Sequence, residues 1–421
     1  MNLFDKILDL IALPIRKLWR IAAHGTPHEQ FRVLFTIAVL MVIVSYFNVS
    51  DRLFSIGDDE YTFLKAGDIL FQGKIDAYRT PIYPLVCKIC RTISLSNGFW
   101  LIALFQITIF FISTVFMHKA SCLLAPKANL ARFVAEACYS CNSAVCLYTY
   151  DIMSESLAIS ITVIFAYFLI LLIKRQANFL QVILLSITYL VMLFLKPYFI
   201  CLVPAFLIAI VLAWRKSCSA VKFTMFLGLA VNIGAYCTYC QLYKKQFGVF
   251  ATTCIGTQNL VHQIRHWHKM ALDRNPDPEL KAPWLSTTTI SQATEECTEI
   301  IRNNPKQFCI ALLAELALCE QFCLPEHILY IGPTHNIAMY PSIPFCIWEW
   351  LILAFIMRHL WRWRKRKANV HIHAVFALCA ISGIFTAVAG SSFILYSRLA
   401  MPVYPILCLM IAAPGNFREE E

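Results

Sequence analysis

Apolar residues fall in long runs along this chain, and polar residues are confined to the gaps between them. The runs lie at 31–48, 99–117, 133–148, 152–173, 179–195, 199–214, 223–243, 343–361, 374–389 and 393–413. A helix of roughly 20 apolar residues crosses the hydrocarbon layer of a bilayer. A helix also satisfies its own backbone hydrogen bonds where no water is present. The pattern predicts an all-α polytopic membrane protein with about ten transmembrane helices.

The gaps carry their own signals. The first, 49–97, predicts an external loop with a helix over Tyr61–Phe71 ending near Gly73, and a second over Leu85–Ile93 started by Pro84. The longest, 244–341, is a polar insert. It holds a basic helix (His262, Arg265, His266, His268, Lys269) and a short apolar stretch at 308–322, expected on the membrane surface because it contains Glu315 and Glu320. Residues 1–30 alternate apolar and basic positions and predict an interfacial amphipathic helix interrupted at Pro14. The chain thus reads as 1–30, a transmembrane module over 31–243, the external insert 244–341, and closing transmembrane helices over 342–421.

Composition sharpens the class. Of 421 residues 59% are hydrophobic and 14% charged, against roughly 25% charged in a soluble domain. The net charge of +11 does not predict a nucleic-acid partner, because the cations cluster beside the apolar runs. Clusters at Lys119–Arg132, Lys174-Arg175, Arg215–Lys222 and Arg362–Lys367 all fall on one side if the helices alternate. The positive-inside rule makes that side, with both termini, cytoplasmic. Half of the 18 cysteines lie in apolar runs as small buried residues, and only Cys254 and Cys297 form a pair worth testing as a disulfide.

With this sidedness, every other polar feature falls on the external face. Asp58-Asp59-Glu60 sits just beyond the first span, followed by Tyr61. One carboxylate would serve as a helix cap. Three crowded together raise at least one carboxyl pKa, which suits a general base. Arg79-Thr80-Pro81-Ile82-Tyr83-Pro84 is a rigid turn opening a helix, with Lys88 nearby, and suits an anionic phosphate. Asp151 and Glu155 are four apart and share a helix face, with Glu155 at the mouth of an apolar run. Lys196-Pro197-Tyr198 and Ser397-Arg398 add a cation each near the same boundary; singly such cations are snorkelling anchors, and as a set they suit a phosphate leaving group.

Taken in order, these segments resemble the polyprenyl-phosphate-using glycosyltransferases of the GT-C fold, which include protein O-mannosyltransferases and bacterial lipid A aminoarabinose transferases. Asp58–Tyr61, Ala66–Leu70, Gly73 and Arg79–Pro84 look like the family's first external loop, with Ile82 where a glycine is usual. Ser154–Leu157, Lys196-Pro197 and Arg398–Pro402 are similar to its later motifs.

The resemblance implies transfer of a sugar from a polyprenyl-phosphate carrier to a lipid, glycan or protein acceptor on the external face, with inversion. Asp58, Asp59 or Glu60 would be catalytic. Tyr61, Arg79, Tyr83, Lys88, Asp151, Glu155, Lys196, Tyr198 and Arg398 would bind substrate. A bacterial inner membrane is the expected location. No cofactor is required; a divalent metal is compatible but not indicated. A secondary transporter, a lipid flippase, or a non-catalytic subunit of a glycan-assembly complex remain open as alternatives.

Overall fold

The computed structural model describes residues 3–49, 58–215, 217–257, 259–261, 289–310, 370–390 and 401–413. Among them all regular structure is helical, and the chain is an all-α membrane protein. The first helices are α1 (Leu3–His24), α2 (Pro27–Val49), α3 (Asp58–Phe71), α4 (Ile82–Ile93) and α5 (Gly98–Leu124). Then come α6 (Asn129–Ser140), α7 (Ser143–Leu147), α8 (Ser154–Ile173), α9 (Phe179–Leu195), α10 (Val203–Trp214) and α11 (Ser219–Phe247). The series closes with α12 (Ile290–Asn303), α13 (Val370–Gly390) and α14 (Tyr404–Ala412). Short 3-10 turns at Pro197–Leu202 and Met401–Val403 lead into α10 and α14.

Among the described residues, five stretches are long and apolar enough to cross a membrane: Pro27–Phe47, Gly98–Leu124, Ser154–Ile173, Pro197–Trp214 and Ser219–Phe247. Phe179–Leu195, His371–Ala387 and Met401–Ala412 are shorter apolar helices. The expected run at 343–361, the start of the last run, and most of the 244–341 insert with its histidines lie outside the described residues.

Two expectations change. Pro14 lies inside α1 and does not interrupt it. The run at 133–148 is not one span but α6 and α7, divided at Asn142. Asn142 accepts from the Val145 N–H (3.2 Å) and donates to Tyr404 Oη (3.0 Å), so its side chain competes for local backbone groups and ends the helix. Arg132, Glu136 and Ser140, spaced by four, are all buried. The run is therefore amphipathic, with a polar stripe turned inward. Arg132 is a buried structural cation instead of a solvated flank: it donates to Gln30 Oε1 (2.9 Å) and Asn129 Oδ1 (2.9 Å).

α8 is the inner helix of the bundle. Nearly all its side chains are buried, and it packs against α5, α9, α10 and α14. α9 and α11 approach closely where Gly228 lies on Ser186; a β-carbon there would stand 2.1 Å from the Ser186 hydroxyl. Large apolar side chains such as Leu104, Val211, Phe223 and Phe226 remain exposed along the outer helices, as a lipid-facing surface requires.

Contacts between helix ends give the bundle two distinct poles. At one, Gln30 donates to Asn129 O (3.2 Å), the Lys174 ammonium donates to Leu123 O, and His118 meets Glu136 (3.0 Å). At the other, Tyr46 packs near Trp100 and Tyr150 (ring centroids 5.9 Å apart in each pair), and Tyr150 Oη donates to Val42 O (3.0 Å). The second pole carries the residues described next.

Candidate functional site

The loop that leaves α3 is built to hold one shape. Gly73 adopts φ +75, a conformation that ends α3 at low cost only for glycine. Asp76, buried, accepts the N–H groups of Tyr78 (2.8 Å) and Arg79 (2.7 Å) and closes the chain into a tight turn. The Tyr243 hydroxyl and the Cys254 N–H both donate to Ala77 O (2.8 Å each), and Gln246 Nε2 donates to Ile75 O (3.2 Å). The end of α11 and the start of the insert thus pin the turn from outside.

Arg79 is held from α3. Its Nε donates to Thr62 Oγ1 (2.8 Å), and its guanidinium lies 4.1 Å from the Phe63 ring centre. Asp58, Asp59 and Glu60 form the first turn of α3, immediately before Tyr61 and Thr62; their side chains lie outside what the structure describes. Tyr61 is exposed. Pro81 precedes α4, which starts at Ile82 and includes Pro84 in its first turn.

From there the contacts run inward. Phe63 stacks edge-on to Tyr83, centroids 4.8 Å apart. Tyr83 is fully buried and donates to Gln106 Oε1 of α5 (3.0 Å). Burial, with Cys87 and Glu155 nearby, pushes its phenol well above the usual value, so it stays a neutral donor. Gln106 Nε2 donates in turn to Thr149 O (3.1 Å) and Asp151 O (2.8 Å), fixing the segment that leads into α8.

Glu155 stands in the first turn of α8, 1% exposed, and accepts from Lys196 Nζ at 3.0 Å. Lys196 is the last residue before the Pro197 turn, and Leu195 O just before it accepts from Thr80 Oγ1 (2.9 Å). The contacts close into a ring: α3, the 79–84 turn, α4, α5, the 149–155 segment, Lys196, and back to Thr80. A buried ion pair at a helix N-terminus fixes the direction of the ammonium.

The predicted residues are distributed accordingly. Arg79, Tyr83, Asp151, Glu155 and Lys196 belong to the ring. Lys88 points elsewhere, pairing with Asp68 at 2.6 Å on a half-exposed flank. Tyr198 is buried against α13, its Oη 2.5 Å from where a Gly383 β-carbon would stand. Arg398 lies outside the described residues. Gln106 and Asp76 were not singled out by sequence, and Thr80 only as a member of the 79–84 turn. For Gln106 the signal existed: an amide inside an apolar run is costly unless it is bonded. No disulfide joins Cys254 to Cys297, so that expectation is not met. Cys254 sits by Tyr243, whereas Cys297 packs on Val261. Among the described residues one grouping has metal-ligand spacing, His118, Cys122 and Glu136, and it lies at the other pole.

No family model matches the chain, and no curated protein matches it by sequence. Two solved structures are similar at 13% identity. One is the oligosaccharyltransferase of Archaeoglobus fulgidus in its apo form, with a TM-score of 0.49. The other is the archaeal oligosaccharyltransferase AglB from Archaeoglobus fulgidus in complex with an inhibitory peptide and a dolichol-phosphate, with a TM-score of 0.48. Each comparison covers 89% of this chain and 50% of the other, so the chain spans about half the length of those proteins.

Proposed function

We propose that this chain is a membrane glycosyltransferase that moves a sugar from a polyprenyl-phosphate carrier to a lipid, glycan or protein acceptor at the pole formed by α3, α4 and the start of α8. The observation that carries the reading is the meeting of three segments distant in sequence. The Arg79–Pro84 turn, Glu155 and Lys196 converge through Thr80 to Leu195 and Lys196 to Glu155.

In the proposed reaction the acceptor hydroxyl attacks the anomeric carbon from the face opposite the phosphate. Its proton passes to Asp58 or Asp59. The carbon–oxygen bond to the phosphate breaks, and polyprenyl phosphate leaves with the electron pair. Arg79 and Lys196, with Arg398 as a further cation, balance the charge that develops on the departing oxygens. Glu155 positions the Lys196 ammonium. The site belongs near the membrane boundary because the carrier's tail stays in the bilayer while the sugar must meet a polar acceptor. This pole is proposed to face the outside of a bacterial inner membrane, with both chain termini on the cytoplasmic side.

Membranes holding Asp58→Asn and Asp59→Asn variants, supplied with a labelled polyprenyl-phosphate sugar, test the reading. Inserted protein that no longer transfers label supports the enzyme. Movement of intact donor across the membrane, unchanged by both substitutions, supports the transporter or flippase alternative.

A further inference from the structure

The other pole carries chemistry that sugar transfer does not use. His118 and Cys122 lie one turn apart near the end of α5, and Glu136 faces them from α6. His118 Nδ1 is 3.0 Å from both Glu136 carboxylate oxygens. Cys122 Sγ is 3.9 Å from His118 Nδ1 and 3.6 Å from Nε2. The Ser121 hydroxyl donates to Glu136 Oε1. One donor atom from each of the three residues falls within 4.8 Å of the others.

We propose that His118, Cys122 and Glu136 form a binding site for a borderline transition cation, zinc above all. Zinc takes nitrogen at roughly 2.0–2.1 Å, sulfur at roughly 2.3 Å and carboxylate oxygen at roughly 2.0–2.2 Å. At tetrahedral angles those lengths separate sulfur from nitrogen by roughly 3.6 Å and nitrogen from oxygen by roughly 3.3 Å. The observed 3.9 Å and 3.0 Å around Nδ1 lie within a few tenths of an ångström of these values, and the third edge, from sulfur to carboxylate oxygen, closes within 4.8 Å. Thiolate and imidazole exclude calcium and magnesium, which prefer oxygen alone.

Charge supports the same assignment. Binding displaces the Cys122 thiol proton and the proton between His118 and Glu136 to water. Thiolate, carboxylate, neutral imidazole and a divalent cation then sum to zero in a largely buried place. Ser121 is the outer partner that orients the carboxylate. His118 and Cys122 are partly exposed, which gives the ion a way in and leaves a fourth position for water. The ion would tie α5 to α6. Gln106 and His118 are twelve positions apart on α5, roughly 18 Å along its axis, so the site is separate from the ring around Glu155.

The test uses the full chain in detergent, stripped with chelator and titrated with cobalt(II), then zinc. The proposal expects one cobalt per chain with a near-ultraviolet thiolate charge-transfer band, displaced by zinc and absent in Cys122→Ser. Ser121→Ala, which keeps all three ligands, is expected to weaken binding about 10- to 100-fold. A band of equal size in Cys122→Ser, or no cobalt taken up by the unaltered chain, overturns it and leaves a plain histidine–glutamate ion pair. Should Cys122→Ser fail to yield folded protein, His118→Gln read against Ser121→Ala decides the same question.

Discussion

Removing the Glu155 carboxylate takes from the buried Lys196 ammonium the acceptor 3.0 Å from it. Glu155 is 1% and Lys196 8% exposed, so water does little to replace the lost partner. Breaking such a pair from one side costs about 3–5 kcal/mol, whereas replacing both members with apolar residues is often close to neutral. Glu155→Gln and Lys196→Met should each lower the thermal midpoint of the detergent-purified chain, and the double variant should recover much of the loss. Additive losses would mean the two groups do not act as a pair.

Two thiols give a residue-scale test of packing around the same loop. Burial pushes Cys87 and Cys254 up to about 12 from an ordinary 9.0. The folded state therefore holds these protons more tightly than the unfolded state. That contribution to stability is complete below about pH 9 and is lost as pH rises through 12. At pH 8 a thiol-alkylating reagent should label exposed Cys309 readily and leave Cys87 and Cys254 unmodified until the chain is unfolded. Labelling of Cys254 in folded protein at a similar rate would contradict the pinned loop.

Among the elements, α5 couples the loop to α8 through one side chain. Gln106→Leu would remove the acceptor of the Tyr83 hydroxyl and the amide donor to the Thr149 and Asp151 carbonyls, of which Asp151 O keeps the Met153 N–H, at about 1–3 kcal/mol for a buried group that loses its bond. Its expected signature is faster hydrogen exchange over 148–153 with the far end of α5 unchanged. Gly67 marks the matching constraint between α3 and α4, since a β-carbon there would stand 2.7 Å from Pro84 O.

Element boundaries were largely legible because their causes are local. Gly73 frees its own backbone to turn left-handed while Pro81 and Pro84 restrict theirs, and the expected helices at 61–71 and 85–93 appear as α3 and α4. Glu155 and Lys196 each stood out as charges beside apolar runs. Their pairing was not legible, because it spans 41 residues and depends on how α8 and α9 pack. Arg132 misled for a related reason. A cation beside an apolar run reads as a solvated flank, and only the tertiary fold supplies the Gln30 and Asn129 oxygens that bury it.

For the whole molecule, the two poles decide what each charge can do. Lys119, Lys174 and the His118 cluster gather at one end of α5 and α8. Arg79, Asp151, Glu155 and Lys196 gather at the other, as the proposed transfer requires if its donor and acceptor meet on one side of the bilayer. Single cysteines placed at Lys74 and at Lys119 should react with a membrane-impermeant reagent from opposite sides of sealed vesicles. Reaction from the same side would break the assignment of the poles.

The most direct measurement is release of free polyprenyl phosphate by the purified chain in liposomes containing a labelled polyprenyl-phosphate sugar and an acceptor extract. The account predicts release matched by label in the acceptor, abolished by Asp58→Asn with Asp59→Asn and sharply reduced by Arg79→Ala. Donor that stays intact, or release that none of these substitutions alters, would contradict it.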